Sequence, residues 1–104
     1  MQTSEIMKAI DADVKKNKVL LFMKGNKLMP MCGFSSRVLE ILNKLDADFE
    51  TRNILEDEEL RAAIKIYADW PTFPQLYIDG EFIGGCDIVT QLFESGELAK
   101  LLKK

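Results

Sequence analysis

Apolar and polar positions fall into short blocks along the chain, each with its own period. Ile6, Ile10 and Val14 lie four apart with Met7 beside the first, while Lys8, Asp11, Asp13 and Lys15 take the other side, so the chain opens on a surface helix. Lys15, Lys16 and Lys18 suit the negative end of that helix, and Asn17 is a natural stop. Val19 to Met23 are five apolar residues in succession, long enough for a buried strand and too short for an independent helix. Phe34, Val38, Ile41, Leu42 and Leu45 return to helical spacing, which predicts a helix with one face from Phe34 to Leu45 packed on a core. Asp46-Ala47-Asp48 breaks the pattern, and Phe49 to Ile54 reads as a strand. Glu56-Asp57-Glu58-Glu59 then stands where a third helix begins, with Leu60, Ala63, Ile64 and Tyr67 as its buried face.

Trp70-Pro71-Thr72-Phe73-Pro74 ends that helix, because proline lacks the N–H and biases its predecessor away from the helical region. Gln75 to Ile78 is a strand, Asp79-Gly80 a tight hairpin turn, and Glu81 to Ile83 the returning strand. Gly84-Gly85 permits close backbone approach. A fourth helix opens at Cys86-Asp87 with Asp87 near its cap, turns Ile88, Val89, Leu92 and Phe93 inward, and stops at Gly96. Glu97 to Lys104 forms a last short helix with Leu98, Leu101 and Leu102 packed down. This order predicts an α/β fold in which helices cover a four-stranded mixed sheet.

The 104 residues have room for one domain, spanning 1–104. Fourteen basic and 17 acidic residues are interspersed to a net charge of −3, which leaves no footprint for nucleic acid or an anionic membrane surface. No apolar run exceeds five residues, and the first twenty lack both the apolar core of a signal peptide and the Arg-rich composition of a transit peptide. A cytoplasmic protein is expected, or one of the mitochondrial matrix or plastid stroma if a transit peptide has been removed from a longer precursor. Two cysteines suit a reducing compartment, and a structural disulfide is not expected. The absence of histidine excludes Cys-His hydrolases, His-ligated zinc and imidazole bases.

Cys32 carries the chemistry. It sits between the strand ending at Met23 and the helix beginning near Phe34, where unpaired N–H groups and the helix dipole favour a thiolate, as would the Lys24 ammonium if the loop folds back. That position suits a nucleophile or a metal ligand; a small buried hydrophobe is the alternative. Arg61 and Lys65 share a helix face, either simply solvated or holding an anion. Helix N-termini at Cys32 and at Cys86-Asp87 both fall at strand-to-helix joints, and if they converge the pocket suits a thiol partner bearing a carboxylate.

Lys24-Gly25, Cys32-Gly33-Phe34-Ser35, Trp70-Pro71-Thr72-Phe73-Pro74-Gln75 and Gly84-Gly85-Cys86-Asp87 stand in the order and spacing of the monothiol, CGFS-type glutaredoxins, and the resemblance covers essentially the whole chain. It implies a thioredoxin-like fold, with about five helices flanking the sheet and a cis peptide before Pro74. Where the family typically has Thr-Pro or Ser-Pro after Lys-Gly, this chain has Asn26-Lys27, so the loop lacks that proline's stiffness. By resemblance, Lys24 and Arg61 receive the glycine carboxylate of glutathione, with Lys65 adding to the field. Phe73 pairs its backbone with the tripeptide, and Cys86 and Asp87 hold the γ-glutamyl end.

A dithiol enzyme would carry a resolving cysteine where this chain has Ser35. Cys86, the only other thiol, is assigned to backbone contacts and packing rather than to redox chemistry. The resemblance therefore implies a carrier in which Cys32 from each of two chains and two glutathiones share one [2Fe–2S] cluster, in a cluster-bridged homodimer serving iron–sulfur assembly and iron homeostasis. Apo acceptor proteins and BolA-like proteins are the implied partners. Two other functions remain open: a glutathione-dependent thiol-disulfide oxidoreductase acting on glutathionylated proteins through Cys32, of weak activity, and an adaptor domain for BolA-like partners. No exposed apolar stripe in the sequence suggests a permanent dimer.

Overall fold

The computed structural model describes residues 3–103; Lys104, expected to end the last helix, lies outside them. Its elements are α1 (Thr3–Lys16), β1 (Val19–Met23), α2 (Gly33–Lys44), β2 (Glu50–Asn53), α3 (Glu58–Ala68), β3 (Gln75–Ile78), β4 (Glu81–Gly84), α4 (Cys86–Ser95) and α5 (Glu97–Lys103). The strands form one mixed sheet in the order β2-β1-β3-β4, with β2 parallel to β1 and the other neighbours antiparallel. Asp79 and Gly80 both take positive φ, 53° and 82°, as a two-residue hairpin turn between twisted strands requires.

All five residues of β1 are buried, and their alternation builds two cores. Val19, Leu21 and Met23 face Val38, Ile41 and Leu42 of α2, Val89 of α4 and Leu98 of α5. Leu20 and Phe22 face Ile6, Ile10 and Val14 of α1, Ala63 and Ile64 of α3, and Tyr77. The Asp13 carboxylate accepts two hydrogen bonds from the Arg52 guanidinium, both at 2.8 Å, and so ties α1 to the edge strand β2.

Three sequence expectations shift. The β2 ladder is shorter than Phe49–Ile54, because its register starts at Leu20 opposite Glu50 and ends at Met23 opposite Asn53. Phe49 and Ile54 are instead buried just outside the ladder, with the Ile54 N–H still donating to the Met23 carbonyl at 3.0 Å. The third helix starts at Glu58 because the Asp57 carboxylate caps it, accepting from the Leu60 N–H at 3.1 Å; Glu56 precedes the helix. Asp87 does lie near the cap of α4, in its first turn, with Gly85 as the N-cap residue. Finally, Phe34 is 64% exposed and does not join the core face of α2. It stands in the opening turn, beyond the end of the sheet on which Val38, Ile41 and Leu42 pack.

Candidate functional site

Cys32 is itself the N-cap of α2, with extended backbone (φ −154°) and its Sγ accepting the Ser35 N–H at 3.3 Å. The Ser35 hydroxyl lies 3.3 Å from the same sulfur and accepts the Lys24 backbone N–H at 3.1 Å, so the end of β1 and the start of α2 are fastened through one oxygen. Ser35 is fully buried, whereas Cys32 is only half-buried. Burial pushes the Cys32 thiol up, but the Ser35 hydroxyl, the Ser35 and Phe34 N–H groups and the Lys24 charge outweigh it, and the pKa falls below that of an ordinary thiol.

The loop before Cys32 is stiffened by its own polar groups. Asn26 Oδ1 accepts the N–H groups of Leu28 and Met29, both at 2.9 Å, and Asn26 N–H donates to the Met29 carbonyl at 3.2 Å. Met31 N–H reaches the Lys24 carbonyl at 2.8 Å, and Asn53 Oδ1 accepts the Gly25 N–H at 3.0 Å. The Lys27 ammonium bonds the Phe49 carbonyl and lies 4.4 Å from the centre of the Phe49 ring. Asn26-Lys27 thus replaces a proline's rigidity with side-chain bonds. Gly25, at φ +94°, permits this closure, since a Cβ there would stand 2.7 Å from Met31 N. Held this way, the loop leaves Leu28 (97% exposed), Met29 and Met31 outward, and with Phe34 they flank Cys32 along the chain as an exposed apolar collar that the sequence had not suggested.

Beside the collar runs a groove of about 390 Å³ between two helix N-termini. Phe34 of α2 forms one side, Trp70, Thr72 and Phe73 of the segment between α3 and β3 another, and Gly85 to Ile88 of α4 the third. The Phe73-Pro74 peptide is cis, as the resemblance implied. No side chain caps α4, and Trp70 Nε1 is buried without a hydrogen-bond partner among the described residues.

Of the candidate residues, Phe73, Cys86 and Asp87 line the groove, and Lys24 acts on the Cys32 sulfur through its charge. Arg61 is exposed on α3 outside the groove lining. Cys86 is a free thiol packed against the first core, and Ile88, expected inward, is half-buried at the groove. Sequence reasoning missed the part played by Ser35, although a residue three after an N-cap is the one whose N–H meets the capping side chain. It also missed Gln75, whose signal was a polar residue opening an otherwise apolar buried strand.

A family model described as glutaredoxin matches residues 19–83. The chain is 56% identical over 103 residues to "Probable monothiol glutaredoxin 2" of Rickettsia typhi, a match covering 99% of this chain and 93% of that protein. The solution structure of reduced poplar apo GrxS14 superposes with a TM-score of 0.86 at 52% identity, covering 99% of this chain and 95% of that one. The crystal structure of the buckwheat glutaredoxin–glutathione complex gives a TM-score of 0.87 at 26% identity, covering 97% and 90%. A thiol at a helix N-terminus, a groove against a cis-proline and these similarities over nearly the whole length together make the chain a member of the monothiol glutaredoxin family, with its thioredoxin-like fold.

Proposed function

We propose that the 104 residues act as one glutaredoxin domain that binds glutathione in the groove and, as a pair, carries a [2Fe–2S] cluster as cargo for iron–sulfur assembly and iron homeostasis. The observation that carries the first half is the groove itself: a helix N-terminus without a side-chain cap, Asp87 in its first turn, and the Phe73 backbone at the opposite wall. Such a site suits a short extended peptide whose end bears both a carboxylate and an ammonium. Cys86 offers its backbone N–H to that carboxylate and Asp87 its own carboxylate to the ammonium, while Lys24 and Arg61 receive the glycine carboxylate. The buckwheat relative is crystallised with glutathione, which supports the same ligand here.

The donor set supports the second half. A cluster of this kind takes about four thiolates, and histidine is absent from the chain. Cys32, half-exposed with its thiolate favoured, fits one position, and the thiol of a glutathione in the adjoining groove fits another. Two chains complete the set, and the collar of Leu28, Met29, Met31 and Phe34 gives their meeting faces apolar surface. Two of the four ligands exchange freely in this account, so the cluster can pass to acceptor proteins or to a complex with a BolA-like partner.

Anaerobic reconstitution with iron, sulfide and glutathione tests the proposal. A visible cluster spectrum on a dimer, lost in Cys32→Ser, is expected; cluster retained in Cys32→Ser overturns it. Arg61→Ala is expected to weaken glutathione about tenfold by calorimetry, from loss of one charged hydrogen bond. The lowered Cys32 pKa also favours a second reading, in which the thiolate attacks the glutathionyl sulfur of a mixed disulfide, releases the protein thiolate and is itself freed by a second glutathione. A coupled glutathione-reductase assay measures that activity.

A further inference from the structure

We propose that Gln75 is a positioning residue for the glutathione groove, an inference that rests on the glutathione reading above. Gln75 and Ser35 are the fully buried polar side chains among the described residues. Gln75 opens β3 opposite Phe22 of β1, with its carboxamide on the core side. Nε2 donates to the Trp70 carbonyl and to the Thr72 carbonyl, each at 3.2 Å, and Oε1 accepts the Tyr77 hydroxyl at 3.3 Å. Only this orientation of the amide is consistent with its surroundings, because the two carbonyls accept and the hydroxyl is free to donate.

The segment held this way belongs to neither a helix nor a strand, and Trp70, Thr72 and Phe73 form one wall of the groove. Its carbonyls have no ladder to join, so the buried amide replaces one, pinning the segment at two points from behind. A fully buried carboxamide is costly where an apolar side chain would pack as well, and it is tolerable only because its bonds are satisfied. What the amide supplies is a fixed path for the backbone before Phe73. A flexible peptide such as glutathione binds an edge already in its bound shape more tightly than one that must first be ordered.

The test measures glutathione affinity by calorimetry beside the melting temperature for Gln75→Glu, which keeps the shape but loses the double donor, and for Gln75→Met, which keeps the bulk without the bonds. Both are expected to bind glutathione about tenfold more weakly, while Val14→Ala, a cavity in the second core at a residue outside the groove lining, lowers the melting temperature and leaves affinity unchanged. Folded Gln75 variants with parental affinity overturn the inference, as does an affinity loss that Val14→Ala shares. If both Gln75 variants fail to fold, Tyr77→Phe decides: it frees Oε1, and a roughly threefold loss supports the inference where parental affinity overturns it. A parent that binds no glutathione overturns the proposed function and this inference with it; a parent that binds beside indifferent variants overturns the inference alone.

Discussion

Removing the Ser35 hydroxyl takes away one direct contact to the reactive sulfur. In Ser35→Ala the N–H bond from residue 35 to Cys32 Sγ survives, while the hydroxyl bond to the sulfur at 3.3 Å goes together with the bond that the hydroxyl accepts from the Lys24 N–H at 3.1 Å. A hydrogen bond to a charged group contributes roughly 1.5–3 kcal/mol, and this one favours the thiolate, so its loss raises the Cys32 pKa. Cys32 is half-exposed and water replaces part of the lost bond, so the lower end of that range applies, and the midpoint rises. The pH dependence of alkylation by iodoacetamide reads the midpoint directly, and Ser35→Thr, which keeps the hydroxyl, should stay near the parent. A midpoint in Ser35→Ala equal to or below the parental one refutes the reasoning. Linkage fixes the sign for stability. The folded thiol titrates below its unfolded value, so the thiolate contacts stabilise the fold fully above the unfolded pKa, and the gain is lost as pH falls through the folded pKa. Ser35→Ala should therefore narrow the stability difference between alkaline and neutral solution.

Three other changes test separate parts of the structure. Gly25→Ala should lower the melting temperature and loosen the loop, since its φ of +94° and the crowding against Met29 and Met31 leave no room for a Cβ; hydrogen exchange at the Met31 amide, bonded to the Lys24 carbonyl, reads the loosening. Asp13→Asn should cost about 1 kcal/mol in denaturant unfolding, because it weakens a two-bond but partly exposed pair with Arg52, and the difference should shrink at high salt. Leu28→Asp should leave the melting temperature unchanged, the side chain being 97% exposed, yet weaken the proposed cluster-bridged dimer in anaerobic sedimentation.

The periodicities of α1, β1, α3 and the β3–β4 hairpin were legible in the sequence because burial on one face or both repeats at the period of the element. Phe34 shows where that reasoning stops: the period assigns a residue to a face, but in an opening turn the face can extend past the sheet that would cover it. The cysteine at the helix start was legible for the same local reason that made it a cap. Contacts across the chain were not. The bond from Lys24 N–H to Ser35, the reach of Lys27 to Phe49 and the grip of Gln75 on the segment before it depend on how elements meet, which spacing does not encode. The motif match named glutathione residues that spacing alone did not, and of these Arg61 stands exposed outside the groove lining.

The groove's walls are rooted in different halves of the molecule. Phe73 packs in the core beneath α1 and α3, whereas Cys86 packs in the core beneath α2, α4 and α5. Local openings of a fold need not involve every layer at once. A peptide bonded to both walls couples those events, because opening either layer tears away half of its contacts. Amides deep in α1, far from any atom of the ligand, should then exchange more slowly when the groove is filled, and the ligand would act as a mechanical rivet through the sheet's open end.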